Sequence, residues 1–154
     1  MIDIYMKLRK TLKVFLGPAI VFVLSAPALA DCAKFELLSQ WDKNALLSDK
    51  MLAEELNADQ CALSNAGGGL FAHVCQWSFH LRDPEAVSFF EEFEADALAC
   101  LPLGAPLAPD QQVNHPDTYA LKQYPFKDGV LNLSLKDKGN LGRSFVFLRV
   151  SGGN

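Results

Sequence analysis

From Leu70 to Leu81 the chain alternates strictly, with Phe71, His73, Cys75, Trp77, Phe79 and Leu81 on one side and Ala72, Val74, Gln76, Ser78 and His80 on the other. A period of two held over a dozen residues is a strand with one face committed to a core. The flanking residues narrow the fold further. Upstream, Asn65-Ala66-Gly67-Gly68-Gly69 is a turn signal strong enough to reverse the chain after Gln60 to Ser64. Downstream, Asp83, Pro84 and Glu85 open a helix, because a capping carboxylate, an imino acid at the first position and an acid in the first turn all suit its unpaired amides. Ala86, Phe90, Phe93, Ala97 and Cys100 form that helix's apolar stripe, and Glu91, Glu92, Glu94 and Asp96 lie off it, facing water or a partner.

The remaining segments divide the same way. Phe35, Leu38, Trp41, Ala45, Leu46, Met51, Leu52 and Leu56 recur at three- and four-residue steps, and the capping residues Asp42 and Ser48 allow this helical stretch to break into two or three short helices. Three prolines between Leu101 and Pro109 forbid further helix and predict a stiff surface crossing. Three strand-like segments follow, Thr118 to Phe126, Val130 to Lys136 and Ser144 to Val150, with Lys127-Asp128-Gly129 as one hairpin turn and Asp137 to Gly142 as the next reversal. Ser151 to Asn154 reads as a flexible tail. Most connections are too short for parallel crossovers. The expectation is a small single α+β domain over residues 31–150, a mainly antiparallel sheet of about five strands with helices packed on one face.

The first thirty residues belong to a different class. Lys7, Arg9, Lys10 and Lys13 form a basic start, Val14 to Leu24 an apolar stretch, and Ala26-Pro27-Ala28-Leu29-Ala30 a small-residue end, the order of a signal peptide cleaved after Ala30. Met6 opens a more usual basic region than Met1. Asp31, ahead of Cys32, is not the small neutral residue that precedes a lipid-bearing cysteine. No later apolar run reaches the roughly 20 residues of a spanning helix, so the expected product is periplasmic or secreted, with no transmembrane segment after cleavage. Cys32, Cys61, Cys75 and Cys100 all follow the signal, and an even number in an oxidising compartment implies two disulfides. Reach along the strand and back along the helix predicts Cys75–Cys100 and, by elimination, Cys32–Cys61. The rival is Cys61–Cys75, across the glycine hairpin.

Function leaves fewer marks. The whole chain has 14 basic and 18 acidic residues; losing Lys7, Arg9, Lys10, Lys13 and Asp3 with the signal leaves 10 and 17, a net of −7, which disfavours a nucleic-acid binder. The charge is uneven. Asp31 to Asp96 holds 13 acidic and 4 basic residues, whereas Ala97 to Asn154 holds 4 and 6, so an acidic helical side and a milder sheet side are expected. Lys136, Lys138 and Arg143 form a small basic group at the last hairpin and are the candidate binding residues. His115 and Asp117, either side of Pro116 in a polar loop, are the candidate catalytic pair of a small hydrolase, although Asn, Pro and Asp also serve a turn. His73 reads as a packed histidine. No metal-ligand spacing, phosphate loop or nucleophile elbow is present, and no cofactor is implied. The favoured expectation is an exported non-catalytic binding or accessory protein of the cell envelope, of inhibitor, immunity or structural type, with a protein or envelope partner.

Overall fold

A computed structural model describes residues 32–41, 47–67, 70–108 and 118–152; the expected signal segment and the pair His115 and Asp117 lie outside the described residues. A 3-10 turn (Cys32–Phe35) runs into α1 (Glu36–Ser39) and is followed by α2 (Asp49–Leu56), β1 (Gln60–Gly67), β2 (Leu70–His80), α3 (Pro84–Cys100), β3 (Thr118–Phe126), β4 (Gly129–Lys138) and β5 (Arg143–Gly152). The strands form one antiparallel sheet in the order β1-β2-β5-β4-β3. This is the α+β architecture expected. β5 continues through Ser151 and Gly152, which pair with Ala72 and Gly129, so these two residues extend the sheet rather than the tail.

The helices start where local chemistry stops the chain elsewhere. The Ser48 side chain accepts the Met51 N–H, and the Asp83 carboxylate accepts the Glu85 N–H at 3.0 Å, each satisfying an amide that the first helical turn leaves open. α3 then buries Ala86, Phe90, Phe93 and Ala97, the stripe read from its spacing. Those residues meet the inward side chains of the sheet, Cys75 and Trp77 of β2, Leu131, Leu133 and Leu135 of β4, and Val146, Leu148 and Val150 of β5. Aromatic contacts tie the layers together. Trp77 lies 5.0 Å from Phe93 and 5.1 Å from Phe89, Phe35 packs edge-on to Phe93, and Trp41 stacks on Phe126. The Trp77 indole N–H donates to the Asn57 carbonyl at 2.9 Å, so this buried ring leaves no donor unpaired.

Two acids of α3 that were expected to face water or a partner are internal fasteners. Glu94 accepts the Tyr124 hydroxyl and lies 3.5 Å from Lys122, both on β3, and Asp96 pairs with Lys34. Glu91 and Glu92 remain exposed.

The disulfides are Cys32–Cys100 and Cys61–Cys75, which corrects the expected pairing of Cys75–Cys100 and Cys32–Cys61. Cys61 and Cys75 are direct register partners on β1 and β2, with Cα atoms 4.0 Å apart, the close approach of a non-hydrogen-bonded antiparallel pair. Reach along β2 and back along α3 brings Cys75 and Cys100 to the same level but leaves their sideways separation open. α3 crosses over β5 and β4 toward the 3-10 turn. At about 4.8 Å per strand, β4 lies roughly 10 Å from β2, more than the ~7 Å a disulfide can span. Cys100 therefore ends beside Cys32.

Turns and edges show a second displacement of role. In the β3–β4 hairpin the left-handed residue is Lys127 (φ 51°), while Gly129 is needed for proximity: a Cβ there would lie 2.0 Å from the Ser151 carbonyl oxygen. The proline-rich crossing runs along the β3 edge. Gly104 donates to Pro125 and Leu107 to Gln123, both at 2.8 Å, which covers part of a ladder otherwise open to a second chain. On the opposite edge the Leu63 N–H of β1 donates to Asp49 of α2 at 3.1 Å.

Candidate functional site

All the described α-helices pack on one face of the sheet, so the other face, helix-free among the described residues, is defined by the alternate residues of the same strands. Cross-strand register aligns them in rows: His80, Arg143 and Lys138; Ser78, Phe145 and Lys136; Gln76, Phe147, Ser134 and Leu121; Val74, Arg149, Asn132 and Gln123. The predicted binding residues Lys136, Lys138 and Arg143 are brought together here, at the β4–β5 end. Arg149 joins them on the same face, six residues along β5 from Arg143, about 20 Å at ~3.4 Å per residue. Between these arginines Phe145 and Phe147, both half-buried, stack with centroids 5.7 Å apart and ring planes 27° apart. The Lys136 ammonium sits 5.7 Å from the Phe147 ring centre, within reach of its negative face.

Charge on this face is of one sign. Among the described residues no strand position on it is Asp or Glu, and no carboxylate pairs with Lys136, Arg143 or Arg149. At the margin, Asp59 precedes β1 and accepts the backbone N–H and hydroxyl of Ser78, each at 2.7 Å. The described cations elsewhere are engaged: Lys34 with Asp96, Lys122 with Glu94, Arg82 with Asp137, Lys50 with Glu54, and Lys127 with the carbonyls of Ser39 and Trp41. The separation of Arg143 and Arg149 exceeds the screening length of about 8 Å at physiological salt, so they repel each other little. A shallow depression of about 370 Å³ lies beside Phe147, floored by Val74, Ser134 and Asn132 and rimmed by Lys136 and Arg149. Gln123 donates its amide to Asn132 at 2.7 Å along that floor. The face thus offers a cationic rim, an aromatic centre and a polar floor.

Lys136, Lys138 and Arg143 stand out in the sequence as a basic group, whereas Phe145, Phe147 and Arg149 join them only in the folded sheet. The signal was present in Arg143-Ser144-Phe145-Val146-Phe147-Leu148-Arg149, where cations bracket two phenylalanines at alternate positions. It was illegible because both alternating sets of β5 contain large apolar residues, so alternation alone does not say which set meets the helices.

Two polar clusters on the helical side have structural roles. His73, 4 % exposed, places Nδ1 3.3 Å from the Asp49 carboxylate, an arrangement that orients a general base. Its Nε2, the atom that would act, is buried without a hydrogen-bond partner, and the neighbouring sulfur of Cys75 is in a disulfide. In the second cluster, beside a cavity of about 180 Å³ at the start of α3, Ser144 is fully buried; it accepts the Arg82 N–H at 2.7 Å and donates to Asp137 at 2.6 Å. Those bonds hold Arg82 in its left-handed turn (φ 58°) and leave the hydroxyl engaged. His80 is exposed at the strand end. Among the described residues no His, Cys, Asp or Glu cluster is arranged to hold a metal ion, and no helix is long and apolar enough to cross a membrane.

Comparison with protein-family models, with curated proteins and with solved structures found no match, which leaves the chemistry of the helix-free face to indicate what the protein does.

Proposed function

We propose that the protein is an exported, non-catalytic binding module of the cell envelope that docks a protein partner on the helix-free face of its sheet. One observation carries this reading. Phe145 and Phe147 lie stacked at the centre of a face whose cations Lys136, Arg143 and Arg149 have no carboxylate partner among the described residues. Half-exposed aromatic rings flanked by arginine are the composition enriched where proteins meet. Two disulfides suit an oxidising compartment outside the cytoplasm. The test places a photo-crosslinking amino acid at Phe145 and, in a separate variant, at Glu91 on the outer side of α3, and irradiates the exported fraction of the host. A discrete adduct from position 145 and none from 91 is expected. No adduct from 145, or the same adducts from both positions, overturns the reading.

A further inference from the structure

Resting on that reading, we infer that the partner inserts an acidic polypeptide segment into this face, its carboxylates meeting Lys136, Arg143 and Arg149 and its apolar side chains covering Phe145 and Phe147. Charge complementarity selects the sign. Among the described residues, Lys136, Arg143 and Arg149 pair with no carboxylate, while the described acids lie on the helical side or, like Asp59, at the margin.

Shape and field select polypeptide over other polyanions. A nucleic acid carries about one charge per 3.4 Å of each strand and binds through many phosphates at once. The signal-free chain bears a net charge of −7, so its longer-range field opposes such a polymer, and a short acidic segment is governed mainly by the three nearby cations. A lipid surface needs apolar side chains that project into the headgroup boundary. Phe145 and Phe147 are half-buried between strand neighbours, and Lys136 lies over one of them. The sheet edges are also partly occupied, by Asp49 on β1 and by Gly104 and Leu107 on β3, which directs an incoming chain to the face.

The probe is a fluorescein-labelled glutamate-rich peptide carrying leucines, compared with the same peptide bearing glutamine for every glutamate, by fluorescence anisotropy on the full exported protein. Saturable binding of the glutamate peptide is expected, weakened at least about tenfold by the glutamine replacement and weakened again by added salt. Arg143→Glu with Arg149→Glu should reduce binding by at least about tenfold while thermal unfolding stays within a few degrees, because both side chains are exposed. Glu91→Lys with Glu92→Lys, on the opposite side, should leave the affinity as it was. Equal binding of the two peptides, unchanged affinity of the double arginine variant, or no binding overturns the inference. So does tighter binding to phosphatidylglycerol vesicles or to oligodeoxythymidylate than to the peptide. An adduct at position 145 together with any of these results keeps the docking face and discards the acidic segment.

Discussion

The two disulfides differ in what they constrain. Cys32 and Cys100 are 68 residues apart and join the first helical turn to the end of α3, whereas Cys61 and Cys75 are 14 apart and close one hairpin. In the chain-entropy description, a cross-link over 68 residues removes about 15 cal/mol/K from the unfolded ensemble, or about 4.4 kcal/mol at 25 °C, and one over 14 residues removes about 3.0 kcal/mol. A domain of this size has a total stability of about 5–15 kcal/mol, so Cys32→Ala with Cys100→Ala should leave it only marginally folded. Accessibility runs the other way. Cys32 is exposed, while Cys61 and Cys75 are 9 % and 1 % exposed, so a thiolate reaches the long-range bond first. Urea unfolding of the double-alanine variant should show a loss of about 4 kcal/mol and a raised m-value, because the uncrosslinked unfolded chain exposes more surface. Graded reduction followed by alkylation and peptide mapping should label Cys32 and Cys100 before Cys61 and Cys75. A loss below about 1 kcal/mol, or first labelling of the hairpin cysteines, refutes the reasoning.

Other perturbations test single features. Burial, with the Glu94 carboxylate beside it, pushes the Tyr124 hydroxyl up from 10.0 to about 12. Because the folded value is the higher one, this contribution is complete below pH 10 and is lost as pH rises to about 12; stability in that window should fall by about 2–3 kcal/mol, and Tyr124→Phe should flatten that part of the urea-stability profile. Gly129→Ala should cost at least about 2 kcal/mol, seen as a drop in Tm of roughly 8 °C, since its Cβ meets a backbone oxygen that cannot swing away. Asp49→Ala should cost about 1–3 kcal/mol in urea unfolding by leaving His73 Nδ1 and the Leu63 N–H without their acceptor. His73→Leu removes the unpartnered Nε2 and should cost less than Asp49→Ala; the reverse order would show that the imidazole has a partner of its own.

Much of this structure was legible wherever a local rule and the tertiary environment agree. Asp83 and Pro84 open α3 because the first amides of any helix need an acceptor or an absent N–H, and the period-two run turns His73, Cys75 and Trp77 toward the helices, although Phe71 at its start stays exposed. Four cysteines beyond a signal-like segment announced two bridges without saying which. Connectivity depended on the sideways course of α3, and periodicity carries no information about lateral placement. The same gap applies to the candidate docking face. Sequence marked Lys136, Lys138 and Arg143 as a basic group, but only the register of β2, β5 and β4 sets them on one surface with Phe145, Phe147 and Arg149. Alternation in β5 divides its residues into two sets; packing of α3 against Val146, Leu148 and Val150 decides that the other set, with its cations and stacked rings, lies on the opposite face.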